Sequence, residues 1–394
     1  MRIKKQYIKY LLCLAPFLLS AIIYVQLNAS FANILLFLKM IAFIYILCEH
    51  LRSMSITKLD FSFAIYFFIW LFSIVINGES VIDYFKEAVV ILSFVFLIEN
   101  AFDNASDKYL IQAFEHIFFG ELVVNLICLI VYPDGLWKTY SIYGQEAIYS
   151  FLGLDNQVTP LLIVAELILL VRVLYDGKRI TRFSALYGIV LAANLFFMMS
   201  ATGVIGCLII PVVLWLGVKY RKQINIKMIL GVVIAIFLVV VVFRLQNIFA
   251  FIIEGVFHKD LSLSNRVGIW DRAIAEFRKK PLLGSGCGTL AATVGDRNAH
   301  DFYLQILLQS GVIGFLAYVN VFRVALSKCW KTRYSDASLI VAATLCGYLI
   351  CCISEVYSQS WLSIILAIAY NVIIISQKVT IQNPSLFKDE IRGT

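Results

Sequence analysis

Residues 228–243, MILGVVIAIFLVVVVF, decide the fold, because every residue in this run is apolar and a long polar break follows it. A helix of about 20 apolar residues crosses the hydrocarbon core of a bilayer. The run is continuous, whereas a transmembrane β-strand alternates apolar with polar residues. This stretch therefore predicts a membrane-spanning helix, followed from Arg244 to Asp301 by a segment outside the lipid.

The rest of the chain repeats this pattern. Its 394 residues are 61% hydrophobic and 15% charged, and a mean hydropathy of +0.87 excludes an ordinary soluble domain. The stretches long enough to span a membrane are 10–27, 31–48, 59–76, 81–98, 112–132, 156–175, 183–200, 203–219, 228–243, 302–326, 336–354 and 357–376. We therefore expect an all-α integral membrane protein, a single polytopic domain over residues 1–394 with about twelve transmembrane helices.

Positive charges lie on alternate sides of these predicted spans. With the N-terminus in the cytoplasm, the short outward loops hold almost no cations, Lys138 being the exception. The cytoplasmic segments hold Arg52, Lys58, Lys178, Arg179, Arg182, Lys219, Arg221, Lys222, Lys227, Lys328, Lys331, Arg333, Lys378, Lys388 and Arg392. This positive-inside pattern predicts that both termini are cytoplasmic and that the 244–301 break, between spans 9 and 10, faces outward. No cleavage site closes the first span, so we expect it to be retained.

Composition also restricts partners and cofactors. The formal net charge of +8 mostly reflects the cytoplasmic cations, which indicates contact with anionic lipid and not with nucleic acid. The nine cysteines form no CxxC or Cys/His metal spacing, so we expect neither a metal ion nor a cofactor. Within the spans, Asn125 and Asn194 either line a cavity or bond neighbouring helices. Arg172 is either paired or reaches out to the cytoplasm.

The 244–301 break is the candidate catalytic loop. Ser264 is placed to cap a helix that ends at Pro281, and its apolar stripe consists of Trp270, Ala273, Ile274 and Phe277. Arg266 falls in the first turn of that helix, where unpaired N–H groups and the helix dipole favour an anion. A guanidinium also matches phosphate oxygens bidentately. The cations of this loop are therefore either ordinary solvated charges or an anion-binding set.

His300 is the candidate base of the loop. It stands just before the span that opens at Phe302, where a lipid-linked substrate would present its reactive bond, and imidazole can accept a proton near neutral pH. Asp301 could orient the ring. The alternative for His300, as for His258 in the same loop, is an ordinary surface histidine.

These motifs, taken in order over residues 264–314, resemble the signature of the O-antigen polymerase/ligase superfamily. The resembling segments are Ser264-Asn265-Arg266, Trp270, Pro281-Leu282-Leu283-Gly284-Ser285-Gly286, His300-Asp301 and Gly311-Val312-Ile313-Gly314. The family pattern is S-x-R, an aromatic-anchored helix, P-x-x-G-x-G, a histidine followed by asparagine, and a span opening with Gly-x-x-Gly.

The resemblance implies a metal-independent, inverting glycosyltransferase of the bacterial cytoplasmic membrane. Its donor and acceptor would be undecaprenyl-pyrophosphate-linked saccharides at the outer face, and a chain-length regulator and a flippase are its expected partners. Arg266 would correspond to the pyrophosphate-binding arginine and His300 to the base for the acceptor hydroxyl. Asn156, at the mouth of the sixth span, resembles a sugar-contacting position, and Tyr143 in the preceding loop joins it as a candidate.

Two positions depart from the family pattern. Asp301 replaces the usual asparagine, and Ser200-Ala201-Thr202-Gly203 lacks the arginine that many relatives carry at the start of a middle span. A second phosphate-binding cation would then come from Arg244, Arg272 or Arg297.

Three activities fit the pattern. We prefer a polymerase of O-antigen, capsule or exopolysaccharide repeat units, although a ligase that transfers the saccharide to another acceptor carries the same motifs. A precursor flippase is the alternative from another class. Transporters commonly show repeated halves and helices broken near the midplane, and we see neither in the sequence.

Overall fold

A computed structural model describes residues 2–19, 28–53, 56–140, 146–198, 200–220, 224–243, 245, 266–286 and 298–382. The chain is mostly helical. Its helices are α1 Arg2–Leu18, α2 Ala29–Ser53, α3 Lys58–Ile76, α4 Ile82–Asp103, α5 Asp107–Val131, α6 Asp155–Tyr175, α7 Arg182–Met198, α8 Ala201–Lys219, α9 Ile226–Phe237, α10 Arg266–Lys279, α11 Phe302–Lys331, α12 Asp336–Cys351, α13 Gln359–Tyr370 and α14 Val372–Gln382. A π-helical turn, Leu238–Val242, extends α9.

Each predicted span coincides with helix in the described part of the chain, but the helices differ in length and composition. Six of them, α2, α3, α5, α6, α8 and α11, are long and apolar enough to cross a membrane, or seven spans if α13 and α14 are counted together across their 53° bend. Shorter apolar helices are α7, α9 with its π-helical extension, and α12. The number twelve stays a prediction.

A small antiparallel sheet, which the sequence analysis did not predict, lies between α5 and α6. Its strands β1 Trp137–Tyr140, β2 Glu146–Ser150 and β3 Gly153–Leu154 pair in the order β1-β2-β3. Asn125 anchors the sheet to the bundle, because its Oδ1 accepts the N–H of Leu152 at 2.9 Å. Its Nδ2 donates to Oδ1 of Asn194 on α7 at 2.9 Å. The two asparagines therefore bond neighbouring elements.

The predicted cytoplasmic segments contact one another at one end of the bundle. Ion pairs join Lys9 to Glu49, Lys178 to Asp336, and Lys378 to Asp107. Arg172, at the same end, pairs with Glu115 and Asp176, each at 3.4 Å.

The predicted outward segments meet at the opposite end of the bundle. There Ser73 Oγ donates to the carbonyl of Gln309 at 2.8 Å, and the N–H of Phe302 donates to the carbonyl of Cys352 at 2.9 Å. The helices therefore alternate in direction as the span pattern predicts. Which end faces the cytoplasm stays a prediction from the cations.

Candidate functional site

Helix α10 covers Arg266–Lys279 in the described part of the chain, and its apolar stripe packs inward. Ile269, Trp270 and Ala273 are buried against Ala299 and Leu304 in a core cluster of their own. A bulky indole in such a cluster fixes the rotation of the helix about its axis, and that rotation decides where the side chain of Arg266 points. The predicted cap Ser264 lies outside the described residues.

Arg266 forms an ion pair with Glu355, which stands between α12 and α13. Nη2 of Arg266 donates to Oε1 of Glu355, and Nδ2 of Asn156 donates to Oε2 of the same carboxylate at 3.2 Å. Glu355 is 5% exposed, whereas the Arg266 side chain is 20% exposed. Two residues singled out from the sequence, Arg266 and Asn156, are thus brought together by a carboxylate that the sequence analysis did not single out.

A second carboxylate, that of Glu87, holds the segment that carries Glu355. Glu87 on α4 accepts the N–H of Gln359 at 2.9 Å and the hydroxyl of Ser358 at 3.3 Å. These are groups at the N-terminus of α13, where backbone donors have no intrahelical partner. The short connection between α12 and α13 is therefore anchored at its end, which fixes the position of Glu355.

His300 contacts α10 through Trp270, one turn after Arg266. Nε1 of Trp270 donates to the carbonyl of His300 at 3.3 Å, and the N–H of His300 donates to Oδ1 of Asn298 at 2.9 Å. The φ angle of His300 is +45°, a conformation that few non-glycine residues adopt. Such strain persists only where surrounding contacts hold it. At His300 these contacts include the hydrogen bond from Trp270 of α10.

Asp301 has a structural role that the sequence analysis did not anticipate. Its Oδ1 accepts the N–H of Leu304 at 2.7 Å, so it caps the N-terminus of α11, and the residue is fully buried. Gln305 supports the same corner, because its Oε1 accepts the N–H of Ala299 at 2.9 Å. The cap fixes the backbone that presents His300, whereas orientation of the imidazole by Asp301 stays a prediction.

Residues 281–286, which we call the glycine turn, fill a break in α11 at Gly311. The N–H groups of Ser285 and Gly286 donate to the carbonyls of Leu308 and Gln309, and those of Val312 and Ile313 donate to Pro281 and Leu282. The backbone of Gly311 (φ +65°, ψ −170°) is not helical. Two separate sequence motifs thus form one unit, which satisfies the backbone groups that a break in a helix exposes.

Glycine is required at this contact because backbone packs on backbone. A Cβ at Gly284 would lie 2.6 Å from the carbonyl oxygen of Leu308, and one at Gly311 would lie 2.2 Å from that of Leu282. Asn77, after α3, holds the turn from outside, since its Nδ2 donates to the carbonyl of Gly284 at 3.2 Å. The end of α10 is therefore fixed against α11 and α3.

The remaining candidates are less informative. Arg272 is exposed on α10, and its guanidinium lies back along the helix, 3.6 Å from where a Cβ of Gly268 would stand. Arg244, Arg297 and Tyr143 lie outside the described residues, as does His258. Glu355 could have been found from the sequence by one signal, since it is the only charged residue between Asp336 and Lys378.

Residues 186–319 match a family model described as O-antigen ligase. This match confirms the resemblance to the O-antigen polymerase/ligase superfamily over the part of the chain that holds both Arg266 and His300. A search of curated proteins finds no match.

Proposed function

We propose, from the relationship of residues 186–319 to that superfamily, that this protein is a membrane glycosyltransferase that polymerises undecaprenyl-pyrophosphate-linked oligosaccharide repeat units. The reaction would take place at the outer face of the bacterial cytoplasmic membrane and build an O-antigen, a capsule or an exopolysaccharide. Its partners would be the lipid-linked donor and acceptor, the surrounding lipid, a flippase that delivers the units and a regulator of chain length.

The observation that carries the proposal is that α10 bears Arg266 and also contacts the backbone of His300. Arg266 opens the helix, and Trp270, one turn later, bonds the carbonyl of His300. Four residues of helix rise about 6 Å, so one rigid element carries Arg266 and, one turn later, the indole that bonds the backbone of His300. This spacing suits a substrate that presents a pyrophosphate and a sugar side by side.

The chemistry that we assign is a single displacement. The hydroxyl of the acceptor sugar attacks the anomeric carbon of the donor, His300 takes the hydroxyl proton, and undecaprenyl pyrophosphate leaves with the electron pair of the broken C–O bond. One displacement inverts the anomeric centre, and no step of it calls for a metal ion. A positioned base contributes about 10²–10⁴-fold to such a reaction.

Arg266 would act on the leaving group. Negative charge grows on the pyrophosphate in the transition state, so a guanidinium beside a helix N-terminus stabilises that state more than the ground state. Glu355 and Asn156 orient the guanidinium through the bonds described above. They are therefore positioning residues, and Asn156 also stands where a sugar could be contacted.

A ligase is the second candidate, and the description of the matched family favours it. A ligase uses the same donor and leaving group, and only the acceptor differs. Nothing in the arrangement of Arg266, Glu355 and His300 depends on the acceptor, so the two activities would use the same three residues.

The test of the proposed chemistry is conversion of purified lipid-linked repeat units to longer saccharides. His300→Ala should abolish the product while donor binding stays roughly intact, because the base acts on the acceptor hydroxyl. His258→Ala, in the same predicted loop, is the matched control and should be close to neutral. Full activity in His300→Ala, or loss in His258→Ala alone, would move the base elsewhere.

The acceptor decides between the two activities. The wild-type protein would be given labelled lipid-linked donor with either unlabelled lipid-linked repeat units or a lipopolysaccharide core acceptor. A ladder of lengthened lipid-linked saccharides supports the polymerase. Single transfer to the core, with no ladder, would establish the ligase instead.

A further inference from the structure

A buried cluster of three potential metal ligands lies at the opposite end of the bundle from the candidate site. His50 near the end of α2, Asp60 at the start of α3 and Glu99 near the end of α4 place one donor atom each within 4.8 Å of one another. The three residues are 3%, 8% and 2% exposed. The proposed transfer reaction uses none of them, so the following inference is independent of that function.

The imidazole of His50 is oriented as the imidazole of a metal ligand commonly is. Its Nδ1 lies 2.9 Å from Oδ1 of Asn100, so an Nδ1–H group can donate to that amide oxygen. The ring also stacks on Phe96, with centroids 4.2 Å apart. Metal-binding histidines are commonly oriented in this way by a carbonyl or carboxylate on the nitrogen that does not bind the metal. Nε2 is left with its lone pair inside the cluster.

That lone pair faces another. Nε2 of His50 lies 3.1 Å from Oδ2 of Asp60. In the tautomer with the proton on Nδ1, neither atom has a hydrogen to offer, so a second proton or a metal ion must lie between them. Four ligand atoms at about 2.0–2.1 Å from a tetrahedral Zn²⁺ are about 3.3 Å apart, so the observed separation suits a shared cation.

The two buried carboxyl groups lie against each other, and two carboxylates this close repel unless a proton or a cation is shared between them. Thr57 satisfies one oxygen of each, because its N–H donates to Oδ2 of Asp60 and its hydroxyl to Oε1 of Glu99, both at 2.8 Å. Oδ1 of Asp60 and Oε2 of Glu99 are buried and accept no hydrogen from an N–H or an alcohol group of the described residues, and the two carboxyl groups contact each other. Asp60 forms an ion pair with His50 only when the imidazole is protonated, and Glu99 forms none with a described residue. A buried ion without a partner costs several kcal/mol.

We propose that His50, Asp60 and Glu99 bind one divalent first-row transition-metal cation, with Zn²⁺ and Mn²⁺ as the ions to test. One imidazole nitrogen and two carboxylate oxygens are ligands that both ions accept. The ion neutralises the two carboxylates and joins the lone pairs of His50 and Asp60. It clamps the ends of α2, α3 and α4, so its role is structural. Linear spacing could not reveal this site, because each ligand comes from a different helix.

The test is metal binding by the purified full-length protein in detergent, isolated with an affinity tag that contains no histidine. After chelator treatment and removal of the chelator, Zn²⁺ or Mn²⁺ alone is added, and bound metal is measured by mass spectrometry and titration calorimetry. We expect about one ion per chain, and at least about tenfold weaker binding in Glu99→Gln, which keeps the shape but removes the charged ligand. His116→Ala, a histidine on α5 that bonds Tyr7, is the matched control and should bind like the wild type.

Thermal stability supplies the second readout. The added metal should raise the melting temperature of the wild type and of His116→Ala but not that of Glu99→Gln. If Glu99→Gln does not fold, the wild type alone still decides, since stoichiometric binding and a metal-dependent melting temperature are required of it. Absence of bound metal in the wild type overturns the proposal, and so does equal binding by Glu99→Gln and His116→Ala. If the wild type binds no metal and Glu99→Gln is more stable than the wild type, the two carboxyl groups share a proton instead.

Discussion

Replacing Gly311 by alanine should separate the glycine turn from α11. The residue has a φ of +65°, and its new Cβ would lie 2.2 Å from the carbonyl oxygen of Leu282, which is backbone and cannot rotate away. The turn must therefore move out of the break. The hydrogen bonds between residues 281–286 and 308–313 would then be lost or lengthened, and the end of α10 would lose its support.

The expected loss of stability follows from these contacts. A non-glycine residue in a sparsely populated backbone region costs about 1–3 kcal/mol, and each lost hydrogen bond costs about 0.5–1.5 kcal/mol. With up to four bonds at risk, Gly311→Ala should cost about 3–9 kcal/mol. Two controls separate the causes. Gly78 has a φ of +69° and open space around it, so Gly78→Ala should show the backbone strain alone. Gly120 lies within α5 in open space, and Gly120→Ala should be neutral or slightly stabilising.

Melting of the detergent-solubilised variants and polymer formation by the same samples would measure the effect. The melting temperatures should fall in the order Gly120→Ala, Gly78→Ala, Gly311→Ala, and Gly311→Ala should also lose activity because α10 carries Arg266. If Gly311→Ala melts together with Gly120→Ala, the turn does not hold the break and the reasoning fails.

Four further outcomes are expected. Arg266→Lys should lose most activity yet remain folded, because lysine lacks the bidentate fork; near-normal polymer formation would make Arg266 an ordinary helix-start residue. Glu355→Gln keeps the side-chain size but removes the charge that holds Arg266, so the rate should fall about 10–100-fold, the value of a charged hydrogen bond; an unchanged rate would show that the ion pair is dispensable. Asp301→Asn should retain activity and Asp301→Ala should destabilise by about 1 kcal/mol, because asparagine caps a helix and alanine does not; equal melting of the two would refute the cap. A single cysteine in residues 288–296, in a background without Cys287, should react with an impermeant reagent in intact cells; protection until the membrane is opened would reverse the topology.

Local sequence signals predicted the helices and α10 because the information needed was local. Apolar runs identified the bundle, and a stripe that includes Trp270 and ends at Pro281 identified α10. The contacts that assemble the site were not predictable in this way. Glu355 lies 89 residues from Arg266 along the chain, and no periodicity relates the two. Asp301 was given a role beside the imidazole, whereas the N-terminus of α11 takes one of its oxygens.

The strands and the glycine turn illustrate two further limits. Strands β1 to β3 are short, and their residues show no clear apolar alternation, so the periodicity of residues 137–154 did not predict a sheet. The glycine motif was identified as part of the family pattern, and its function depends on the break at Gly311, which belongs to another helix. Long-range partners of this kind are visible only once the bundle is assembled.

The pairing of Arg266 with Glu355 has a consequence for selectivity among the anions of a membrane. Phospholipids greatly outnumber any lipid-linked saccharide, and each carries a phosphate that a lone guanidinium would attract. Here the guanidinium already has a carboxylate partner, so a simple headgroup gains little by approaching a pair without net charge. A ligand must contribute further contacts, through a second phosphate or a sugar, before it binds favourably beside Glu355. The carboxylate would thus disfavour abundant phospholipids at the proposed site.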